Sequence, residues 1–356
     1  MRTSRTTLTE FLRNELKGHA NASDLTELLE EIARVVTRIS HLVARGGIDD
    51  ITGKLQSENV QGEVQMKLDV VTNDLFIDAF RQSGIVAGIA SEEMDSPLSF
   101  PEGRDGKFLV VFDPLDGSSN VPVNVSIGSI FSILGAPNGR PPEDNDYLQP
   151  GSSQLASGYA IYGPSTMLVY TAGHGTHGFT LDSATETFFL THANLRIPDT
   201  TSEFAINSSN ARFWEVPVQQ YVEDCIAGSE GVRERDFNMR WVGSMVADVH
   251  RILMRGGVYL YPRDNKKPIK AGRLRLMYEA NPMSFIVEQA GGKGSTGREQ
   301  IMGVVPQLVH QRVPVIMGSS QEVSLIERYH RDFDSGEAEK GYSPLFGERS
   351  LFHKMQ

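Results

Sequence analysis

Asp113 and Asp116 stand three residues apart, directly after the apolar run Phe108-Leu109-Val110-Val111-Phe112, and Gly117-Ser118-Ser119-Asn120 follows them. Pro114 restricts the backbone between the two acids. A turn here aims both carboxylates at one point, while the amides and hydroxyls of 117–119 form a concavity suited to a phosphate. Carboxylates beside a phosphate repel it by about 4 kcal/mol per pair of unit charges at ~4 Å in a partly screened site, so the arrangement requires a cation. Hard oxygen donors without a His or Cys cluster select Mg²⁺ or Mn²⁺ over zinc. A second apolar run, Gly84 to Ala90, leads into Ser91-Glu92-Glu93; Glu279 stands just before Asn281-Pro282, and Asp69 at the entry to a helix. All these acids lie at element ends, where α/β proteins build their sites. Two or more shared ions would clamp a phosphoryl group, polarise its P–O bonds and lower the pKa of an attacking water. Taken singly, acids after strands are common caps and turn formers, and Glu93 alone reads better as one of those. The joint pattern DPLDGSS after an apolar strand carries more weight.

A substrate with a second charged end needs a second anchor, and cations gather at Arg263, Lys266, Lys267, Lys270, Arg273 and Arg275. Lys266, Lys267 and Lys270 read as a solvated loop. Arg273 and Arg275 alternate with Leu274 and Leu276, which places both arginines on one face of a strand and favours them as phosphate ligands. Arg240, beside Trp241 and Gly243-Ser244-Met245, is a further candidate because a guanidinium grips phosphate as a fork. Asn207, ending Phe204-Ala205-Ile206, and Tyr261, ending Val258-Tyr259-Leu260, stand where they reach a sugar or equally cap a turn. Three other features carry no chemistry. The glycine-rich stretch Ala290 to Gly297 follows a helix instead of opening one, and Gly294 separates Lys293 from Ser295, so it is no nucleotide loop. His174 and His177 lack a third zinc ligand of matching spacing, and Cys225 lies on a helical stretch without a catalytic motif.

These residues need elements to hold them. Leu25, Leu28, Leu29, Ile32, Val35, Val36, Ile39, Leu42 and Val43 recur with the period of a helix, capped near Ser23 or Asp24 and ended by Gly46-Gly47. Residues 48–66 show neither periodicity and read as a long mobile loop; a helix follows over 70–81. Strands are expected at 84–90, 108–112, 125–134, 157–162, 166–172 and 177–181, with a surface loop at 136–153, so the first half reads as helices over a mixed sheet, an α/β arrangement. After the polar break Pro198-Asp199-Thr200-Thr201-Ser202, strand and helix alternate: strand 204–207, helices 215–227 and 244–254, strands 258–261 and 274–278, a helix opened by Asn281-Pro282, and strand 313–317. The expected division is 1–199, 200–330 and a polar tail over 331–356, in keeping with 356 residues at roughly 150 per domain. No apolar run approaches the ~18 residues of a membrane span, and MRTSRTTLTEFLRNELKG lacks the apolar stretch of a signal peptide, so a cytoplasmic protein without a membrane partner is expected. Lys plus Arg number 34 against 45 Asp plus Glu, and the net charge of -11 excludes a general nucleic-acid binder. A single cysteine excludes an internal disulfide.

From Thr7-Leu8-Thr9 to about Ser319 the chain resembles the class I fructose-1,6-bisphosphatases, through Lys67-Leu68-Asp69-Val70, Ser91-Glu92-Glu93, Asp113 to Asn120, Val242 to Arg251 and Leu274 to Met283. The inositol monophosphatases share the acidic motifs in looser form and lack the 242–251 stretch. The resemblance implies an α-β-α-β-α layered sandwich, the sugar-phosphatase fold, and a homotetramer. It implies removal of the 1-phosphate of fructose 1,6-bisphosphate by Mg²⁺-activated water, in gluconeogenesis or the Calvin cycle. In that reading Glu92, Asp113, the Leu115 carbonyl, Asp116 and Glu279 hold metal, and Asp69 and Glu93 orient or deprotonate the water beneath a closing 48–66 loop. Asp116, Gly117, Ser118 and Ser119 meet the reacting phosphate, while Asn207, Tyr261, Arg273 and a neighbouring subunit's Arg240 hold the sugar and the 6-phosphate. Arg273, Trp241 and Asn210 depart from the Lys and the two Tyr of animal members, which opens sedoheptulose 1,7-bisphosphate as a second substrate. Thr26 and Lys107 match the family's AMP site, but Phe108 replaces a tyrosine and Ala22 a threonine, so weak or absent AMP control is expected. The basic cluster at 263–275 favours a bisphosphatase over an inositol-type monophosphatase, and the full set of acids favours an enzyme over a non-catalytic metal- and phosphate-binding module.

Overall fold

The computed structural model describes residues 5–46, 48, 54–58, 64–100 and 105–336. Among these, eight strands form one sheet, ordered from its edge as Thr187–His192, His177–Asp182, Thr166–Thr171, Ala156–Tyr162, Ile127–Gly135, Phe108–Asp116, Val86–Ser91 and Leu98–Ser99. Neighbours run antiparallel except Val86–Ser91 beside Phe108–Asp116, which are parallel. A second sheet of five strands is ordered Asn238–Met239, Glu203–Ile206, Val258–Tyr261, Val315–Gly318 and Lys293–Ser295.

The apolar pattern dictates how these sheets stack. Helices Leu8–Glu15, Ala22–Arg45 and Lys67–Ser83 lay their stripes, including Leu25, Leu28, Ile32, Val36 and Phe76, on one face of the large sheet against Val110, Phe112, Phe131 and Ala160. The alternate residues Ile130, Tyr159 and Val169 face the other way, onto the middle helices Met245–Arg255 and Asn281–Gln289. Those helices touch the second sheet through Ala205, Tyr259 and Met317, while Phe204, Val258, Leu260 and Ile316 point to its far face, under Val216–Ala227 and Ser320–Asp334. Strands covered on both faces must be apolar throughout, which is why Phe108 to Phe112 and Val258 to Leu260 show no alternation. The result is the expected α-β-α-β-α sandwich.

Several elements differ from the expectation. Parts of the anticipated 48–66 loop form an antiparallel pair, Lys54–Glu58 with Val64–Met66; the remainder, and with it a closing movement, lies outside the described residues. The carboxylate strand does not stop at Phe112 but runs on through Asp116. Thr187–His192 is an additional edge strand, and the 136–153 loop contains a short helix, Asp144–Tyr147. The 274–278 strand shrinks to Leu274–Arg275, because Leu276–Ala280 coils into a π-helical turn that feeds Asn281–Gln289. The last helix carries ordered chain to Asp334, past the expected start of the tail, and 337–356 lies outside the described residues.

Candidate active site

In a regular strand residues 113 and 116 would point to opposite faces. They do not here. Asp113 pairs with Ile130 and Asp116 with Gly128, so three steps along one strand meet two along the other, and the extra residue restores the parity of the two acids. Ser129 Oγ donates to the Pro114 carbonyl at 2.7 Å and the Leu115 N–H to Asp113 Oδ1 at 2.9 Å, which holds the bulge. The parallel neighbour ends at Ser91, opposite Phe112, and the Glu92 N–H donates to the Phe112 carbonyl at 3.1 Å. Glu92 and Glu93 therefore leave the sheet beside Asp113. Glu279 enters from the π-helical turn, its Oε2 accepting the Arg275 N–H at 2.5 Å. Asp69 comes from the first turn of Lys67–Ser83 and accepts from the Met66 N–H at 2.8 Å and Ser118 Oγ at 3.3 Å.

These residues line a cleft of about 520 Å³ together with Leu115, Gly117, Ser118 and Ser119. Carboxylate oxygens of Asp113, Asp116 and Glu279 lie within 4.8 Å of one another, all three side chains buried. Burial raises every one of them, and neighbouring charges add to it. Asp113 stands well above the carboxylate range through burial and then Glu92, Asp116 and Glu279; Glu279 does so through burial and Glu92. Burial lifts Asp69 to about 7, with Glu93 and Glu92 adding to it. Asp116 reaches only about 6, because Ser244 Oγ and the Val246 N–H donate to its Oδ2 at 2.8 and 2.9 Å from the start of Met245–Arg255. Gly117 follows in left-handed backbone at φ 76°, its Cα facing Ser244 so closely that a Cβ would sit 2.7 Å from the Ser244 Cβ.

The cations are distributed differently from the expectation. Arg273 and Arg275 do not share a strand face. Arg275 is buried and pairs with Glu92 at 3.2 Å, so it offsets the acidic cluster from within, whereas Arg273 lies outside the two-residue strand and pairs with Asp264 at the rim. Lys266 and Lys267 are exposed as expected, but Lys270 lines the cleft with Tyr261, Arg273 and Arg312. Arg312 was not anticipated; it ends a loop with no motif, and only its pairing opposite Arg275 brings it in. Asn207 lies in an adjoining recess with Asn210, Trp214 and Tyr261, where its side chain accepts from the Ser209 N–H and Ser209 Oγ, capping the following turn. Arg240 is exposed, does not line the cleft, and donates from Nη1 to the Met239 carbonyl at 3.2 Å. Asp248 holds the next loop by accepting from the Val242 and Gly243 N–H groups at 2.9 and 3.0 Å.

A divalent cation fits the acidic end of the cleft. The Asp69 Oδ1 is buried with no hydrogen-bond partner, and no described residue of the lining is His or Cys, which leaves a hard, oxygen-only donor set. Like charges this close in a buried site remain ionised together only when a cation is shared among them.

The comparisons with known proteins agree with this geometry. Profiles of the Fructose-1-6-bisphosphatase N-terminal and C-terminal domains match residues 6–193 and 197–331. A class 1 fructose-1,6-bisphosphatase of Methylibium petroleiphilum is 54% identical over 352 residues, covering 98% of each chain. One from Methylacidiphilum infernorum is 52% identical over 351 residues, again covering 98% of each. Among solved structures, the holo form of Leishmania major fructose-1,6-bisphosphatase superimposes with a TM-score of 0.86 at 36% identity, covering 92% of this chain and 100% of that one. A carboxylate cleft in a five-layer sandwich, matched along nearly its whole length, makes this chain a member of the class 1 fructose-1,6-bisphosphatase family.

Proposed function

We infer that the chain hydrolyses the 1-phosphate ester of fructose 1,6-bisphosphate, giving fructose 6-phosphate and phosphate. The observation that carries this reading is one cleft lined both by buried carboxylates and by Tyr261, Lys270, Arg273 and Arg312, which offers a metal-binding cluster for one phosphate of a doubly charged sugar ester and cations for the other. Glu92, Asp113, the Leu115 carbonyl, Asp116 and Glu279 would hold Mg²⁺, with Mn²⁺ a second fit. Bound there, the ion supplies charge to the phosphoryl oxygens and acidifies a water. Asp69 and Glu93 would orient an attacking water and accept its proton; a carboxyl lifted to about 7 is well matched to accepting a proton near neutral pH. The Gly117, Ser118 and Ser119 turn holds the reacting phosphate through amides and hydroxyls. Asn207, Tyr261 and Arg273 hold the sugar and its distal phosphate, and Arg240 reaches the same phosphate from a neighbouring copy in a homotetramer. Residues 1–199 thus carry most of the acids and 200–330 the sugar, in a cytoplasmic enzyme of gluconeogenesis or the Calvin cycle.

The test is phosphate release from fructose 1,6-bisphosphate, sedoheptulose 1,7-bisphosphate and inositol monophosphate, each with and without Mg²⁺. Turnover of the bisphosphates alone, and only with the ion, is expected. Asp116→Ala should abolish it while circular dichroism stays unchanged; wild-type activity in that variant would remove the metal assignment. The recess lined by Asn210 and Trp214 beside Tyr261 is the specific reason to include the seven-carbon sugar.

A further inference from the structure

Arg273 enters the cleft with part of its guanidinium already committed. Its Nε and Nη2 donate to Asp264 Oδ2 and Oδ1 at 3.1 and 2.6 Å, a two-pronged pair. The Asp264 side chain is 6% exposed and that of Arg273 21%, so the carboxylate is the more buried partner of the pair. Asp264 is itself held: its Oδ1 accepts the Lys266 N–H at 3.1 Å, and its backbone bridges Trp214 while the Asn265 N–H donates to the Phe213 carbonyl at 2.9 Å. The Arg273 carbonyl accepts Arg312 Nη1 at 2.8 Å, which fixes the other end of the residue.

A guanidinium has five N–H donors in one plane. The pair with Asp264 uses two, and the remaining edge, Nη1 with one N–H of Nη2, has no protein partner among the described residues. That edge is the geometry of a phosphate fork, presented by a residue that lines the cleft. We propose that Asp264 is the positioning residue for the distal phosphate, locking the plane of Arg273 so that its open edge receives a phosphate dianion. This rests on the bisphosphatase reading of the cleft and deepens it. The rotamer entropy of the long side chain is lost on folding, before any ligand arrives, which favours binding. A lysine at 273 could form neither the pair nor the fork, so Asp264 and Arg273 act as a matched unit. The carboxylate also repels an incoming phosphate, and the proposal requires that positioning outweigh this.

The experiment compares wild type, Asp264→Asn, Arg273→Lys and the double variant with Mg²⁺ present, on fructose 1,6-bisphosphate and on fructose 1-phosphate, which lacks the distal group. Asp264→Asn keeps the acceptor for the Lys266 N–H and should raise KM for the bisphosphate about tenfold with kcat within about twofold. Its KM for the monophosphate should not move, and in the Arg273→Lys background the same change should add less than about a twofold effect. Unchanged or lowered KM for the bisphosphate, equal losses on both substrates, or additive losses in the double variant would overturn the proposal. If Asp264→Asn does not fold, Asp264→Glu keeps the charge while displacing the fork, and the same split is expected of it. Failure of the wild type itself to hydrolyse the bisphosphate would instead remove the underlying reading of the cleft.

Discussion

Burial lifts Asp69 to about 7 and Asp116 to about 6, against ordinary values near 4, and Asp113 and Glu279 move in the same direction. Groups whose folded values lie above their unfolded ones stabilise the protein fully at acid pH, and that contribution fades as pH rises through 6 to 7. The metal-free chain should therefore lose thermal stability between about pH 5 and pH 8 from these groups. A divalent ion binds the ionised form and offsets the loss, so saturating Mg²⁺ should raise Tm by about 5 °C at pH 8 and by much less at pH 5. Calorimetry at both pH values checks it; equal shifts would count against the acidic cluster as the binding site. At this scale the sequence is informative where residue type alone decides the chemistry. Asp113 and Asp116 stand out because two acids after an apolar run adjoin a Gly-Ser-Ser turn, whereas Glu92 and Glu279, which a single acid's role as a cap or turn former would explain, gain weight only beside that pair. Arg275 is easily misread because its partner, Glu92, is distant in the chain, and Asp264 is hidden within a basic stretch whose charge it partly neutralises at one arginine.

Pairing between strands accounts for what sequence spacing leaves undetermined. Whether Asp113 and Asp116 share a face depends on a bulge, and a bulge is a property of two strands, so the spacing of the acids along their own strand does not decide it. The same holds for the π-helical turn that carries Glu279, since an Asn-Pro start signals the helix and not the wide turn before it. Gly117 is where local backbone and tertiary contact meet: left-handed φ and Ser244 at 2.7 Å from any Cβ leave room for glycine alone. Gly117→Ala should cost about 2 kcal/mol of stability and lower kcat by pushing Asp116 and Ser244 apart, measurable by denaturant titration and initial rates. A variant with both parameters unchanged would show that the turn is not held by this contact. The helix Ala22–Arg45 supports a second prediction at this scale. Thr26 Oγ1 already donates to the Ala22 carbonyl at 2.7 Å and Lys107 is ion-paired with Asp24, so the two groups matching the AMP site are engaged within the protein, while Phe108, in place of the tyrosine, is wholly buried. AMP at millimolar concentration should leave the rate within about twofold of its value without nucleotide, and tenfold inhibition would refute this.

A molecule of net charge -11 attracts no anion by its overall field, so substrate capture depends on a few cations placed at one cleft. The fold supplies them from the chain after Val258–Tyr261 and from the short antiparallel pair Leu274–Arg275 with Arg312–Val313, and leaves Arg240 outside. Arg240 follows the edge strand Asn238–Met239, between the exposed Met239 and Val242, on a loop that Asp248 holds rigid. An open strand edge flanked by exposed apolar side chains is the kind of surface a second copy covers, and in the homotetramer proposed above Arg240 would reach its neighbour's cleft instead of its own. Arg240→Ala should then raise KM for fructose 1,6-bisphosphate about tenfold while kcat at saturation stays near wild type. Mixing separates this from a local effect. Asp116→Ala subunits are expected to be inactive but keep Arg240, so when they co-assemble with Arg240→Ala subunits they should return the KM of the mixture toward wild type. A KM that is unchanged by Arg240→Ala, or one that mixing does not restore although sedimentation shows hybrid oligomers, would place the second phosphate entirely within a single chain.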